Sequence, residues 1–350
     1  MSVDELFDMD KLGERLNGML GGNGFSLKDL VYALFRGDLS EVFRLLWDSM
    51  VGGILSDINL WKDLIVIILA LGLLSVVFLR LQDLFMSGIT STIGYYMVYL
   101  STAIVLMKIV TYSMEITVDV VQNIVDFIRL LVPTYLFTIG VSAGQLTAVG
   151  FYKLILCVIF LAESVMLAIL LPAVQIYVIM TILNGLMDHD RLVHLLELLQ
   201  RGIRGGLKAM FGIVTGFGAL QAMVSPAVDG MKRGVVERML AAIPGIGDMT
   251  DSTVRTLYGS AQILKNSVGT ACIVAMLVIA IVPLLKLLIL CTVVKCAGAL
   301  ASTVADKRIT TCTMKIGEGI RLLLQIAATS IGLFVITLAI AAMGTRQVSL

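Results

Sequence analysis

Two ionisable residues lie deep within long apolar runs of the sequence, where charge is costly. Glu163 lies in the run 154–187, and Lys286 lies in the run 271–301. An ionisable side chain inside a membrane costs about 2.5–3.5 kcal/mol on insertion scales, so such residues usually face a bundle interior, a water-filled path or a partner of opposite charge. We predict that Glu163 and Lys286 face a polar interior and belong to an intramembrane polar path, where they could form a pair. The alternative is a protonated Glu163 and a Lys286 whose chain reaches the membrane surface.

The residues that usually serve as nucleophiles or metal ligands form no recognisable constellation. The cysteines include no CxxC pair, and His189 and His194 lie on different faces of a helix at their spacing. No glycine-rich phosphate-binding motif and no GxSxG motif occurs in the chain. We therefore expect no enzyme activity, no catalytic residues, no cofactor and no metal.

The composition indicates which elements must position the two ionisable residues. Of the 350 residues, 58% are hydrophobic and 15% are charged, whereas soluble domains have roughly 45–50% and 25%. The mean hydropathy is +0.98, and the net charge of +1 gives no reason to expect a nucleic-acid partner. Because a helix satisfies its own backbone hydrogen bonds in lipid, the composition predicts an all-α fold, a polytopic bundle of membrane helices in contact with lipid.

Apolar runs that could cross a bilayer begin after residue 60. A crossing needs about 20 apolar residues, and the runs interpreted as crossings, two of them shorter than this, are 64–79, 89–107, 154–187, 209–224, 271–301 and 322–343. The intervening segment 109–128 is amphipathic and acidic, which predicts a helix along the membrane surface. These runs divide the chain into an N-terminal amphipathic helical region, 1–59, and a membrane domain, 60–345.

Proline and glycine interrupt several of these runs and predict broken helices. Non-helical backbone at membrane depth is tolerated only where protein or a water-filled cavity covers it, so 130–150 and 235–250 are candidates for re-entrant segments. The candidate broken-helix residues are Pro133, Gly140, Pro172, Pro244, Gly245, Gly247 and Pro283. Gly212 and Gly216 have the spacing that permits close helix packing, either within the bundle or between subunits.

The spacing of the prolines suggests an internal repeat. Pro133 and Pro172 are separated by the same interval as Pro244 and Pro283, and the second pair follows the first at an offset of 111. The repeats that this offset implies are 89–208 and 209–321, followed by the last span 322–343.

Two basic loops, 188–208 and 302–321, indicate the sense of such a repeat. An excess of Lys and Arg marks the cytoplasmic side of a membrane protein, so we predict that both loops are cytoplasmic. Each repeat would then contain one segment that enters and leaves the membrane on the same face, and the repeats would be parallel. The alternative, with three complete crossings in each repeat, is inverted and places one basic loop outside.

Four separated motifs resemble those of a known family. They are Leu131-Val-Pro-Thr-Tyr135, Ser225-Pro-Ala-Val-Asp-Gly-Met-Lys-Arg233, Ile243-Pro-Gly-Ile-Gly247 and Ile263-Leu-Lys-Asn-Ser-Val-Gly269. In this order they resemble the stage III sporulation protein AE family, and the resemblance extends over roughly residues 25 to 345. Membership would imply a multi-pass membrane protein of endospore-forming bacteria, with no catalytic residues to transfer.

The resemblance also implies a location, a function and partners. The chain would lie in the mother-cell membrane that surrounds the engulfed forespore, as a membrane subunit of a channel or secretion-like complex that links the two cells. That complex is required for late forespore development. The implied partners are other stage III sporulation A-type membrane proteins and, indirectly, the forespore stage II protein Q. The residues leave two alternatives open: a stand-alone secondary transporter with a midplane site, and a membrane scaffold that conducts nothing.

Overall fold

The computed structural model describes the backbone of residues 88–143, 157–187, 192–241, 281–303 and 306–343, with isolated positions between 44 and 77. Side chains are described chiefly over 93–126, 157–187, 192–217, 281–303 and 306–336. The predicted N-terminal region 1–59 and the span 64–79 lie almost wholly outside these residues. Pro244, Gly245 and Gly247 also lie outside them.

Five helices make up the described part of the chain, which contains no strand. They are α1 Gly88–Ala143, α2 Cys157–Leu186, α3 Val193–Ala241, α4 Ile281–Ala301 and α5 Lys307–Met343. Four segments are long and apolar enough to cross a membrane: Ile93–Asp126, Cys157–Leu186, Ile281–Ala301 and Lys307–Ile336. The prediction of an all-α, multi-pass membrane protein is therefore confirmed.

The central helix of this bundle is α5, which packs against α1, α2 and α3. Its side chains from Leu322 onward are apolar on nearly every face, and a helix of that kind has to be buried. Accordingly, Leu322, Leu323, Ile326, Ala327 and Leu333 are fully buried.

The connections between the helices of two pairs, α2–α3 and α4–α5, lie at the same end of the bundle. The Tyr95 hydroxyl, near the start of α1, donates to Oδ1 of Asp306 (2.8 Å), which precedes α5. One turn further along α1, the Tyr99 hydroxyl donates to the carbonyl oxygen of Ile182 (2.8 Å), near the end of α2. We call this end of the bundle, which contains Met187, Leu192, Ser302, Thr303 and Asp306, the connection end. Helices α1, α3 and α5 run away from it, whereas α2 and α4 run towards it.

The basic segments predicted as loops are largely helical. Helix α3 begins at Val193 and α5 at Lys307, so most of 188–208 and 302–321 forms the first turns of helices. Asp306 explains the start of α5, because its carboxylate accepts a hydrogen bond from the backbone N–H of Arg308 (2.8 Å), as an N-cap residue does. The described parts of both basic segments begin at the connection end, and their cytoplasmic location stays a prediction.

Helix α1 corrects two predictions. Its backbone is helical from Gly88 to Ala143, so the amphipathic segment 109–128 continues the preceding span and is not a separate surface helix. The expected interruptions at Pro133 and Gly140 are absent as well, since both residues lie inside α1. The physical reason is that a proline in a membrane helix removes few backbone bonds, and neighbouring groups can satisfy what it frees. Residues 144–150 of the predicted re-entrant segment lie outside the described residues.

Pro172 distorts α2 without breaking it. Residues Met166–Leu170 form a π-turn, in which the Leu171 backbone N–H bonds to the Met166 carbonyl. Proline has no N–H and its ring crowds the preceding turn, and the wider π-turn absorbs that mismatch. The run 154–187 is therefore one long helix over its described part, distorted at its centre. Pro283 lies in the corresponding helix α4, which is likewise helical at that position.

Candidate functional site

Glu163 is buried between α2 and α5. Its side chain and that of Ser330 have no exposed surface, and the Ser330 hydroxyl donates to Oε2 of Glu163 at 2.7 Å. The other carboxylate oxygen, Oε1, has no hydrogen-bond partner in the part of the chain that the structure describes. Glu163 also lies three residues before the π-turn of α2, and such turns are frequent at functional sites. The interior thus holds one acceptor that is available to a further donor.

The contacts at the connection end place Glu163 at a definite depth along α1. Asp119 lies about 30 Å along α1 from Tyr99, and Glu163 lies about 28 Å along α2 from Ile182, at a rise of about 1.5 Å per residue. The contact between Tyr95 and Asp306 gives a second register, in which Asp119 and Ser330 each lie about 36 Å from the connection end. Both registers put Glu163, Ser330 and Asp119 at the same depth.

Lys286 lies at a different depth from Glu163. The Cys291 thiol of α4 donates to the carbonyl oxygen of Gly317 on α5 (3.4 Å), and this contact aligns Lys286 with Leu322. Ser330 is about 12 Å further along α5 than Leu322. The carboxyl of Glu163 therefore bonds to Ser330 rather than to the half-buried Lys286. The membership of both residues in one polar path stays a prediction.

A second polar group, which the sequence did not predict, joins three helices around Glu318. We call Gln200, Arg204, Lys295, Glu318 and Arg321 the Glu318 cluster. Lys295 of α4 lies 2.5 Å from Oε1 of Glu318, and Arg204 of α3 lies 3.1 Å from Oε2. Gln200 donates to Oε2 at 3.5 Å, and Arg321 lies 3.7 Å from Oε1. One carboxylate therefore holds α3, α4 and α5 together.

Gly317 makes room for the Lys295 side chain in this cluster. A Cβ at position 317 would lie only 2.7 Å from Cγ of Lys295, so any larger residue would displace the lysine stem. No sequence pattern indicates the cluster, because its members lie on three helices that are far apart in the chain. The neighbouring residues Gly317 and Glu318 also form a common pair in a polar helix, which by itself predicts no site.

Basic side chains on four helices lie at nearly the same depth. Lys108 of α1, Lys208 of α3, Lys286 of α4 and Arg321 of α5 are each about 20–24 Å from the connection end, measured along their helices from the contacts above. We call these four residues the basic belt. Lysine and arginine gather where a membrane protein meets the headgroups of the cytoplasmic leaflet, so the belt is a candidate for that boundary.

The charges on either side of the basic belt indicate where the hydrocarbon core of the membrane, here called the slab, lies along the helices. A slab between the belt and the connection end would bury the charged residues Glu197, Arg201, Arg204, Lys307, Arg308, Lys315 and Glu318. A slab on the other side would contain the apolar runs 209–224 and 322–343, with charges mainly on α1. Because each charge in hydrocarbon costs about 2.5–3.5 kcal/mol, the second placement is favoured. It leaves the connection-end halves of the candidate spans Cys157–Leu186 and Ile281–Ala301 outside the hydrocarbon, where their exposed apolar side chains need a protein partner. Glu163 and Ser330 then lie about 14 Å below the belt, near the middle of a core about 30 Å thick.

This placement makes the outer face of α1 unusual. The residues of that face recur at helical spacing and are exposed: Lys108, Thr111, Glu115, Asp119 and Gln122. We call them the α1 polar face. At the same depth the outer face of α2 carries exposed apolar residues, including Leu161 at 63% and Ile169 at 59%. The polar face therefore requires water or another protein beside it, rather than lipid.

The glycine pair of α3 does not pack against another described helix. A Cβ at Gly212 or Gly216 would meet no atom within 4 Å, so the two glycines do not pack closely against the helices that the structure describes. The alternative, an interface with another subunit, stays a prediction. The predicted span 209–224 lies in α3, but most of its side chains beyond Phe217 lie outside the described residues.

The helices, their apolar surfaces and the buried polar groups define the chain as a multi-pass helical membrane protein. A sequence model of the stage III sporulation protein AE family matches residues 25–345. The chain therefore belongs to the stage III sporulation protein AE family, as its motifs indicated.

A curated relative is consistent with this family. The stage III sporulation protein AE of Bacillus subtilis (strain 168) is 23% identical over 322 residues, which cover 89% of this chain and 80% of the relative. No solved structure matches the chain.

Proposed function

We propose that the chain is a membrane subunit of the channel or secretion-like complex that links mother cell and forespore during sporulation. It lies in the mother-cell membrane around the forespore and acts with other stage III sporulation A-type membrane proteins, and indirectly with the forespore stage II protein Q. It contributes a polar path and has no enzyme activity of its own. Its membership of a sporulation family supports the setting, and the α1 polar face supports the path.

The α1 polar face is the observation that carries this proposal. Exposing Glu115 and Asp119 to lipid at this depth would cost about 2.5–3.5 kcal/mol each, so the face needs a polar neighbour. When several subunits surround a water-filled path, the same residues are hydrated and that penalty disappears. Glu163 lies at the same depth and adds a carboxyl behind this face.

The region between the belt and the connection end supports the partnership. It extends about 20 Å beyond the belt and exposes apolar side chains on α1 and α2, among them Met97, Leu100 and Leu183. Apolar patches exposed outside a membrane mark sites of protein interaction. In the proposed complex these side chains contact the partner subunits.

Cysteine accessibility tests the path directly. In a chain whose natural cysteines are replaced, Asp119→Cys is compared with Leu161→Cys, its matched control at the same depth on the apolar face of α2. In sporulating cells we expect a charged, membrane-impermeant thiol reagent to modify position 119 and to spare position 161. Equal reactivity at both positions, or none at position 119, contradicts a water-filled path along α1.

Reconstitution of the purified chain separates the proposal from a stand-alone transporter. The complex subunit is expected to co-purify with other stage III A-type proteins, and deletion of residues 27–58 should weaken that association more than membrane insertion. A transporter would instead be complete in itself, with Glu163 as part of a midplane site. Gradient-driven uptake of a small solute into liposomes that contain this chain alone would establish the transporter and refute the proposal.

A further inference from the structure

The Glu318 cluster contains more positive charge than its carboxylate can neutralise. Arg204, Lys295 and Arg321 surround one acid, so the cluster has a formal excess of two positive charges. Each oxygen of Glu318 already has a close cationic partner. Nε of Arg204, by contrast, is buried without a hydrogen-bond partner among the described residues, and Arg321 lies 3.7 Å from the carboxylate, beyond hydrogen-bond distance. The cluster therefore has donors to spare for an additional oxyanion.

The position of the cluster indicates which oxyanion can reach it. Glu318 is about 18 Å from the connection end, beside the basic belt and therefore at the depth proposed for the lipid headgroups. The cluster is also open from outside, since 38% of the Arg204 side chain and 51% of the Arg321 side chain are exposed. Two guanidinium groups present planar, forked donors, which match the oxygens of a phosphate.

We propose that the Glu318 cluster is a phosphate-binding site between α3, α4 and α5, which takes the headgroup phosphate of an anionic lipid. Basic pockets between membrane helices on the cytoplasmic side bind such headgroups. The bound phosphate neutralises the charge excess of Arg204 and Arg321, while Glu318 keeps the three helices in register. This inference does not depend on the proposed function, because a scaffold or a transporter could carry the same site.

Native mass spectrometry of the purified full chain tests the site. The protein is equilibrated in micelles with equal amounts of phosphatidylglycerol and phosphatidylcholine, and the retained lipid is counted. We expect selective retention of phosphatidylglycerol, reduced about fivefold by Arg204→Gln, as for the loss of one basic group near a lipid surface. Arg201→Gln is the matched control, because Arg201 is an exposed residue of α3 that pairs with Glu197 outside the cluster.

Glu318→Gln gives a second readout, which separates phosphate binding from a purely structural role of the cluster. This change removes the competing carboxylate, so it should increase the retention of phosphatidylglycerol, whereas a purely structural role of the cluster predicts a loss. Gel filtration of each variant ensures that only folded protein is compared. The proposal is overturned if Glu318→Gln and Arg204→Gln change retention in the same direction, if Arg201→Gln reduces it equally, or if neither lipid is preferred. A parallel measurement with inorganic phosphate distinguishes the two sources, since binding of phosphate without retention of phosphatidylglycerol would refute the lipid assignment.

Discussion

Replacement of Glu163 by methionine should make the protein more stable and abolish its function. A buried acid in a membrane helix costs about 2.5–3.5 kcal/mol, and the single hydrogen bond from Ser330 returns only about 0.5–1.5 kcal/mol. Methionine has nearly the same length and no polar atom to desolvate. We therefore expect Glu163→Met to raise the free energy of unfolding by about 1–3 kcal/mol. The denaturation midpoint of the purified chain in a titration with sodium dodecyl sulfate measures this change.

The opposite sign is expected when the partner of Glu163 is removed. Ser330→Ala leaves both carboxyl oxygens without a donor and should lower the free energy of unfolding by about 1–2 kcal/mol. Ser164→Ala is the control, because the Ser164 hydroxyl bonds to the Phe160 carbonyl of its own helix and should have little effect. Heat-resistant spore counts, at equal protein levels on immunoblots, report function. A Glu163→Met variant that is less stable than the parent chain, or that sporulates normally, refutes the argument that this carboxyl is retained for function.

Two further predictions concern helix packing and topology. Gly317→Ala should push Lys295 away from its carboxylate partner and lower the denaturation midpoint. Gly205→Ala is the control, because a Cβ there meets no atom within 4 Å, and it should be neutral or stabilise the protein by about 0.5–1 kcal/mol. Equal effects of the two changes would disprove the close packing at Gly317. Leu195→Cys and Ser302→Cys, both exposed positions at the connection end, should be labelled only from the cytoplasm. Labelling of one of them from outside would refute their common location and support the inverted repeat.

The apolar runs predicted the membrane crossings better than single prolines and glycines predicted breaks in the helices. Hydropathy integrates over many residues, so the runs 154–187, 271–301 and 322–343 each correspond to a candidate membrane helix. Single prolines and glycines were less informative. Pro133 and Gly140 lie within a continuous helix, since the tertiary surroundings in a membrane protein can compensate for one missing backbone bond.

The site was only partly predictable, for a reason that the two buried acids illustrate. Glu163 stands out in the sequence because its neighbours are apolar for many residues on either side. Glu318 lies in a polar, basic segment, where one more charged residue is not distinctive in the sequence. Its importance arises from Lys295 and Arg204, which come from other helices. Local composition can reveal a residue whose burial costs free energy, but it cannot reveal which distant residues offset that cost.

The depth register explains why α1 misled the sequence interpretation. Hydropathy alone places the membrane at 89–107 of α1 and treats Glu115 and Asp119 as surface residues. The contacts of Tyr95 and Tyr99 instead align the acidic part of α1 with the apolar parts of α2 and α5. The low hydropathy of this part of α1 and its alignment with apolar helices are both explained if α1 borders a polar space at the depth where its neighbours border lipid. The acidic residues that looked like the outside of the membrane would then be the lining of a path through it.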